Sequence, residues 1–491
     1  MTGPAAGPPG PGLADGTGRP AGSHGPGRAD GAAGIRRWHA ELAWTGAGEV
    51  RSGVLIEAAD GLYRSVTAGV PAAALPAGTV RLAGLTLPGL ANSHSHAFHR
   101  ALRGVTEGGR GTFWTWRELM YQVAGRLDPE SYLALARAAY AEMALAGVTC
   151  VGEFHYLHHG PGGTPYADPN EMSRVLILAA AQAGLRITLL DTCYLAGGLS
   201  ATGAALPLSP VQQRFSDGTA RQWAERAAAL GADAAGLVAP HARAGAAIHS
   251  VRAVPPSQLP EVVAWSRANA APLHAHLSEQ PAENEACLAA YQATPAAVLD
   301  GAGALGPRST LVHATHLTSQ DIELIGGSRS CACLCPSTEA FLADGIGPAA
   351  ALAAAGSPLS VGSDSHALID LLAEARGIEL AERLASGQRG HFGAAALAWA
   401  ATGAGHACLG WPDAGEIVPG AVADLVTVAL DSPRLAGAAP ATVLESVIFG
   451  AAAADVTGVV AGGRDVVRDG QHLLVPDVPG VLTAAIRPLL A

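Results

Sequence analysis

The chain has 491 residues, of which 49% are hydrophobic and only 14% charged, and this composition predicts a compact globular protein with a large core. A net charge of −11 and the lack of a basic cluster argue against a nucleic-acid-binding surface. The sequence contains no lysine, which excludes lysine Schiff-base chemistry and a carboxylated lysine that bridges two metal ions.

The first segment, residues 1–34, is dominated by Gly, Pro and Ala and shows no apolar periodicity. Such a composition predicts a disordered tail, and the segment lacks the continuous apolar stretch of a signal peptide. No uninterrupted apolar run of membrane-spanning length follows it. We therefore expect a cytoplasmic protein that does not contact a membrane.

Strand-like patterns occupy both flanks of the chain. Residues 35–86 contain short apolar runs with turns at Ala59-Asp60-Gly61 and Pro76-Ala77-Gly78. After about residue 412 similar runs return, among them residues 415–418, 423–428 and 456–460. We expect the two flanks, residues 35–86 and 412–491, to pair as a small β-sandwich domain.

The central part, residues 87–411, shows a different sequence pattern. Short apolar runs that end in polar residues, such as 148–153 and 185–191, alternate with Ala-rich helical stretches, such as 131–146 and 220–230. Repeated β-then-α alternation predicts either a parallel (β/α) barrel or a doubly wound sheet.

Four of these apolar runs end in residues that bind metals. His94 and His96 are two apart, so on a strand they share one face and point to one place. His276 is followed at a spacing of three by Glu279, a carboxylate placed for proton transfer beyond the strand tip. His313 and Asp364 end two later runs. Together the set predicts one metal site of three His and one Asp, with Glu279 and His313 left for proton transfer.

Longer motifs around these residues resemble the formimidoylglutamate deiminases, a family within the amidohydrolase superfamily. They are residues 94–101, with His-Ser-His-Ala-Phe-His-Arg-Ala, residues 113–121, with Phe-Trp-Thr-Trp-Arg-Glu-Leu-Met-Tyr, and the stretches 152–156 and 249–254. The resemblance runs from about Leu87 to Arg376. It implies a (β/α)8 TIM-like barrel of the amidohydrolase type for residues 87–411.

The resemblance also implies roles for individual residues. It makes His94, His96, His276 and Asp364 the ligands of one zinc ion per subunit. It makes Glu279 and His313, together with Asp364, the groups that transfer protons. It assigns substrate contacts to Arg117, Tyr156, His249 and Arg252, and to His99 at a position where the family commonly has glutamine.

The implied reaction is the zinc-dependent hydrolysis of N-formimino-L-glutamate to N-formyl-L-glutamate and ammonia, a step of histidine degradation. The substrate carries two carboxylates, and arginine is the residue that binds a carboxylate best through two parallel hydrogen bonds. Three His and one Asp also suit other divalent metals. His99 differs from glutamine in geometry and charge, which bears on substrate recognition.

Two other functions remain open from the sequence. A related deaminase acting on a heterocyclic amine needs a pocket of aromatic and amide groups rather than paired arginines. A zinc-binding scaffold without catalysis is expected to lack Glu279 or His313, and both are present. As to oligomeric state, the amidohydrolase resemblance implies that the protein can form a homodimer.

Overall fold

The computed structural model describes residues 34–106, 111, 113–232 and 240–491. The predicted disordered tail lies outside the described residues, apart from Gly34. The strands, in chain order, are β1 (Arg36–Ala43), β2 (Arg51–Ala59), β3 (Leu62–Thr67), β4 (Val80–Pro88), β5 (Leu90–Ser95), β6 (Val148–His155), β7 (Arg186–Cys193), β8 (Gly198–Leu199), β9 (Ala205–Leu206), β10 (Ala242–Ile248), β11 (Leu273–Leu277), β12 (Ser309–His313), β13 (Cys331–Leu334), β14 (Leu359–Val361), β15 (Leu425–Val428), β16 (Val456–Ala461), β17 (Arg464–Arg468) and β18 (Gln471–His472).

The helices are α1 (Phe113–Arg126), α2 (Pro129–Leu145), α3 (Glu171–Ala183), α4 (Ala220–Ala232), α5 (Leu259–Ala268), α6 (Pro281–Tyr291), α7 (Pro295–Gly301), α8 (Ser319–Gly327), α9 (Pro336–Phe341), α10 (Ala349–Ala354), α11 (Leu371–Ser386), α12 (Ala394–Ala401), α13 (Gly403–Cys408), α14 (Val443–Gly450) and α15 (Val478–Leu490). Short 3-10 helices span Ala72–Ala74, Ala97–Leu102, Pro161–Gly163, Gln212–Phe215, Pro440–Thr442 and Ala453–Asp455. Within the described ranges, no helix combines the length and the apolarity that crossing a membrane requires.

Local sequence signals explain where the helices begin and end. At the start of α2 the Asp128 side chain accepts the Ser131 N–H, and the Ser131 hydroxyl accepts the Asp128 N–H, which is a capping box. In α11 the Asp370 side chain accepts from the Ala373 N–H, and Gly387 ends the helix in the left-handed conformation. These caps satisfy backbone groups that a helix terminus leaves without a partner.

Eight parallel strands form the barrel that the alternating pattern predicts. Their order is β5-β6-β7-β10-β11-β12-β13-β14, and a parallel bridge between Ser95 and Asp364 brings the last strand against the first. A doubly wound sheet leaves its outer strands apart, so the barrel is confirmed over that alternative. All eight residues of β7 are buried, as expected for a parallel strand covered on both faces.

The two flanks join in a second, separate sheet. Its order is β18-β17-β16-β15-β4-β1-β2-β3, so the predicted pairing of the two flanks is confirmed. The N-terminal flank meets the C-terminal flank where β4 pairs antiparallel with β15. Residues 415–418 were expected to form a strand but lie mainly in bends, because Gly415 has a φ of +90°, which lies outside the strand region.

A buried ion pair joins this sheet to the barrel. Arg186, the first residue of β7, donates to both carboxylate oxygens of Asp424, one of them at 2.8 Å. Asp424 also accepts from the Thr149 hydroxyl at 2.9 Å and from the Gly462 N–H at 2.8 Å. Four donors therefore satisfy a carboxylate that is otherwise costly to bury.

Candidate metal centre and active site

His94 and His96 lie at the carboxyl end of β5, which is the end of barrel strands where active sites are built. Residues two apart on a strand share a face, and the centroids of the two imidazole rings are 4.7 Å apart. Both side chains are buried. The pair presents two nitrogen donors to one place inside the barrel.

His276 and Asp364 approach the same place from other strands. The Nε2 atom of His94 lies 3.1 Å from Nε2 of His276 and 3.2 Å from Oδ1 of Asp364. That Oδ1 lies 3.5 Å from Nε2 of His96. The structure therefore brings together the four side chains that the sequence predicts as metal ligands.

Backbone carbonyls determine the tautomers of two of these rings. Nδ1 of His96 donates to the carbonyl of Phe154 at 2.9 Å, and Nδ1 of His276 donates to the carbonyl of His249 at 2.9 Å. The Nε2 atom of each ring is then left with its lone pair. Burial lowers the pKa of His96 to about 3 and that of His276 well below its ordinary value, so both rings are neutral at neutral pH.

The donor atoms fit a divalent cation. A tetrahedral Zn²⁺ with bonds of ~2.0–2.1 Å to nitrogen separates adjacent donor atoms by about 3.3 Å. The distances from His94 Nε2 to His276 Nε2 and to Asp364 Oδ1, 3.1 and 3.2 Å, are close to that spacing. His276 Nε2 directs its lone pair at His94 Nε2, and with the His94 proton on Nδ1 both nitrogens can bind one cation.

Gly362 lets the Asp364 segment approach β5. A Cβ at position 362 would lie 2.7 Å from the His94 Cβ and 2.8 Å from the His94 carbonyl oxygen, so only glycine fits. Two residues later the Asp364 N–H donates to that same carbonyl at 3.0 Å. Asp364 has a φ of +38°, a conformation that costs a non-glycine residue energy and recurs at functional sites.

Glu279 and His313 form an ionisable pair beside the predicted ligands. His313 Nε2 lies 3.7 Å from an oxygen of Glu279, and His313 Nδ1 lies 3.6 Å from an oxygen of Glu339. Burial raises the pKa of Glu279. Burial by itself lowers the pKa of His313, but the carboxylates of Glu279, Glu339 and Asp364 together outweigh it and raise that pKa well above its ordinary value. The pair thus holds one proton that can move between two groups.

Arg252 lies between two carboxylates. Its guanidinium is 3.6 Å from Glu279 and 3.6 Å from Glu283, at the start of α6. Glu283 has a side chain that is 0% exposed, and it also accepts from the Glu279 N–H at 3.3 Å. Glu283 therefore holds both the arginine and the backbone of the residue that the sequence predicts as proton carrier.

One cavity contains every predicted substrate contact. It has a volume of about 140 Å³, which limits a ligand to a small molecule. The predicted metal ligands His96, His276 and Asp364 line its inner end, together with Glu279 and His313. The predicted substrate residues in its wall are His99, Arg117, Tyr156, His249 and Arg252.

His99 is part of the wall rather than of the barrel surface. Its Nε2 lies 3.1 Å from the Tyr156 hydroxyl, and its ring packs edge-on against Trp116 at 5.1 Å between centroids. Burial holds the pKa of His99 well below its ordinary value, so the ring is neutral. A neutral imidazole offers one donor and one acceptor, as the side-chain amide of glutamine does.

Two further residues of the site were not predicted from the sequence. Glu153, on β6, accepts from the Ser95 hydroxyl and from the Ala97 N–H, each at 2.7 Å, and so holds the segment that carries His96. Tyr194 follows β7 directly and lines the cavity. Both stand at the carboxyl ends of barrel strands, so the position that identified His94 could have identified them too.

Comparison with known proteins places the chain in a defined group. The model of the amidohydrolase family matches residues 85–466. The chain is 38% identical to a formimidoylglutamate deiminase of Pseudomonas aeruginosa, over 80% of this chain and 87% of that protein. It is 32% identical to an 8-oxoguanine deaminase of the same organism, over 72% of this chain and 76% of that protein. A crystal structure of an amidohydrolase from Brucella melitensis is 34% identical, with a TM-score of 0.84 over 93% of this chain and 100% of that chain.

Proposed function

The chain belongs to the amidohydrolase family and is a deaminase that hydrolyses a C–N bond, and from this premise we propose that it converts N-formimino-L-glutamate to N-formyl-L-glutamate and ammonia with one zinc ion. The observation that carries the proposal is the composition of the cavity beside the predicted metal ligands. Arg117 and Arg252 line the same small space as the proton carrier Glu279. A substrate with two carboxylates and one hydrolysable amidine matches that arrangement.

The proposed metal ligands are His94, His96, His276 and Asp364. Their three imidazole nitrogens and one carboxylate oxygen are the donor types that zinc binds in catalytic sites. When bound, such a cation supplies Lewis acidity that makes a water molecule nucleophilic near neutral pH. The carbonyls of Phe154 and His249 hold two of the rings in the tautomer that ligation needs.

Proton transfer is assigned to three residues. Asp364 and His313 accept the proton of the attacking water and stabilise the charge that develops at the tetrahedral carbon. Glu279, whose pKa burial raises, delivers a proton to the departing nitrogen. Water adds its oxygen to the formimino carbon, the C–N bond to the terminal nitrogen breaks, and ammonia leaves.

Five residues are proposed to bind the substrate. Arg117 and Arg252 supply the positive charge for the two carboxylates, and His249 neighbours the ring of His276 at 5.1 Å between centroids. Tyr156 and His99, which lie 3.1 Å apart, add hydrogen-bonding groups beside the arginines. His99 takes over the hydrogen bond that glutamine makes in the family, since both are neutral and both can donate.

The alternative function is deamination of a heterocyclic amine, and the similarity to an 8-oxoguanine deaminase supports it. A flat purine edge presents donors and acceptors side by side, so its pocket has to supply both. The wall holds the aromatic residues Trp116, Tyr121, Tyr156, Tyr194 and Phe215. It also holds Arg117 and Arg252, and two arginines match a dianion rather than a neutral base. We therefore favour the acyclic dianion.

The test is ammonia release by protein of measured metal content, with N-formimino-L-glutamate and 8-oxoguanine compared at equal concentration. The proposal predicts ammonia and N-formyl-L-glutamate in equal amounts from the first compound. Turnover of 8-oxoguanine without turnover of N-formimino-L-glutamate would favour the heterocyclic alternative.

A further inference from the structure

Gln212 lies behind the cavity wall and joins three of its parts. The side chain belongs to the 3-10 helix Gln212–Phe215, is 4% exposed and does not line the cavity. Its Nε2 lies 2.8 Å from the Tyr194 hydroxyl, 3.0 Å from the Tyr121 hydroxyl and 3.2 Å from the Gly197 carbonyl. Its Oε1 accepts from the Ser209 N–H at 2.9 Å. One amide therefore connects α1, the end of β7 and the loop that follows it.

Backbone groups determine which way this amide points. The Ser209 N–H can only donate and the Gly197 carbonyl can only accept, so the amide oxygen faces Ser209 and the NH₂ group faces the two tyrosines. The NH₂ group has no acceptor lone pair to offer. Its two protons serve three acceptors, and the two phenol oxygens are the nearer ones, at 2.8 and 3.0 Å against 3.2 Å for the Gly197 carbonyl. Neither phenol proton can be taken up by the NH₂ group.

At least one phenol proton then remains for a ligand. A hydrogen bond between the phenols of Tyr121 and Tyr194 would use only one of their two protons. Both tyrosines line the cavity, where Arg117 lies with its guanidinium 5.6 Å from the centre of the Tyr121 ring. The cavity wall here combines a phenol donor with positive charge, and the ligand group that fits both is an anionic acceptor.

We infer that Gln212 is a positioning residue that makes Tyr121 and Tyr194 hydrogen-bond donors to one carboxylate of the substrate. This inference rests on the proposed function and deepens it, because it identifies residues that select acidic substrates. It also gives a reason for the selection against heterocycles. A phenol oxygen that accepts from Gln212 keeps its proton free for an acceptor, and a carboxylate offers acceptors at both of its oxygens.

The most direct test replaces the buried amide by a carboxylate of the same shape. Gln212→Glu removes both N–H donors, so the phenol protons turn toward residue 212 and away from the cavity. We expect kcat/KM for N-formimino-L-glutamate to fall about 10- to 100-fold, mainly through KM, with metal content unchanged. The matched control is Gln213→Glu, which makes the same charge change at the adjacent exposed position and should leave KM at the wild-type value.

Tyr194→Phe separates a positioning role from a general structural one. If Gln212 acts through the phenols, Tyr194→Phe raises KM, and adding Gln212→Glu to it costs less than Gln212→Glu costs alone. Fully additive losses would contradict the inference. Circular dichroism and the thermal midpoint of each variant show whether it has folded.

Truncated substrates identify the carboxylate and separate this inference from the proposed function. N-formimino-4-aminobutyrate lacks the α-carboxylate, and N-formimino-L-norvaline lacks the side-chain carboxylate. The inference predicts that Gln212→Glu impairs one of them as it impairs the full substrate and leaves the other nearly unaffected. Equal impairment of all three compounds would overturn the inference while the proposed function stands.

A binding measurement does not depend on turnover. Titration calorimetry with the product, N-formyl-L-glutamate, should give a Kd about 10- to 100-fold higher for Gln212→Glu than for wild type and for Gln213→Glu. An unchanged Kd overturns the inference. If the wild type neither binds the product nor releases ammonia from N-formimino-L-glutamate, the proposed function itself fails.

Discussion

The Nε2 atom of His94 lies 3.1 Å from the Nε2 atom of His276, although the two residues come from strands on opposite sides of the barrel, β5 and β11. Both rings are buried, and burial lowers the pKa of both, so both are neutral at neutral pH. Nδ1 of His276 donates to the His249 carbonyl, which leaves the Nε2 of His276 with a lone pair directed at His94. Such a pair of neutral nitrogens is stable when a cation lies between them.

Metal removal provides the first prediction. Dialysis against a chelator should abolish activity and lower the thermal midpoint, because the four buried donors then lose the charge that stabilises them. His276→Ala should lower metal content from about one ion per chain to near zero, measured by atomic emission. His391→Ala, which removes a histidine outside the cavity, is the control, and a His276→Ala protein that keeps its metal would contradict the assignment.

Glu279→Gln tests the assignment of the proton carrier. The amide keeps the shape of the side chain but cannot deliver a proton, so kcat should fall about 10²- to 10⁴-fold while KM changes little. Metal content, measured in the same preparation, should equal that of wild type. Near wild-type turnover with metal still bound would show that another group carries the proton.

The ion pair between barrel and flanking sheet should contribute to stability. Asp424→Asn leaves the buried Arg186 guanidinium without its counter-charge, so we expect a loss of about 3–5 kcal/mol in the free energy of unfolding, measured by urea denaturation. Asp60→Asn, in the exposed pair of Asp60 with Arg64, should cost less than about 1 kcal/mol. Equal losses in the two variants would contradict a structural role for the buried pair.

Glu374 predicts a pH dependence of stability. Burial raises its pKa to about 8, although the Ser337 hydroxyl and N–H donate to its oxygens. The folded state therefore keeps a proton that the unfolded state releases near pH 4.5. The contribution of this proton to the free energy of unfolding is complete below pH 4.5 and is lost as pH rises toward 8.

Glu374→Gln removes that titration. Relative to the variant, wild-type stability should fall with pH between about 5 and 8, by up to about 1.4 kcal/mol per pH unit. Urea denaturation at several pH values measures the difference. For Glu285→Gln, at an exposed position on α6, the free energy of unfolding should change with pH as it does for wild type. The same pH dependence in Glu374→Gln and wild type would contradict the prediction.

Much of the site could be predicted from the sequence because its chemistry stands at strand ends. His94, His276, His313 and Asp364 each follow an apolar run, and the barrel brings such ends together. The regular alternation of strands and helices left a barrel and a doubly wound sheet open, and the amidohydrolase resemblance selected the barrel. The motif around Arg117 then pointed to the cavity wall, and α1 does line it.

Other contacts could not be predicted, because they depend on pairs far apart in the chain. Gln212 is a polar residue in an irregular stretch, and nothing near it in sequence reveals that it bonds Tyr121, 91 residues away. Arg186 and Asp424 are 238 residues apart. The left-handed backbone of His313, with a φ of +70°, is likewise a product of the assembled barrel mouth.

The central claim is that this site hydrolyses an acyclic amidine carrying two carboxylates. The most direct measurement is the steady-state rate of ammonia release from N-formimino-L-glutamate by protein of known metal content, beside 8-oxoguanine under the same conditions. The account predicts a kcat/KM at least about 10²-fold higher for N-formimino-L-glutamate, lost on metal removal and restored by zinc. Metal-loaded protein that releases ammonia from 8-oxoguanine and none from N-formimino-L-glutamate would contradict it.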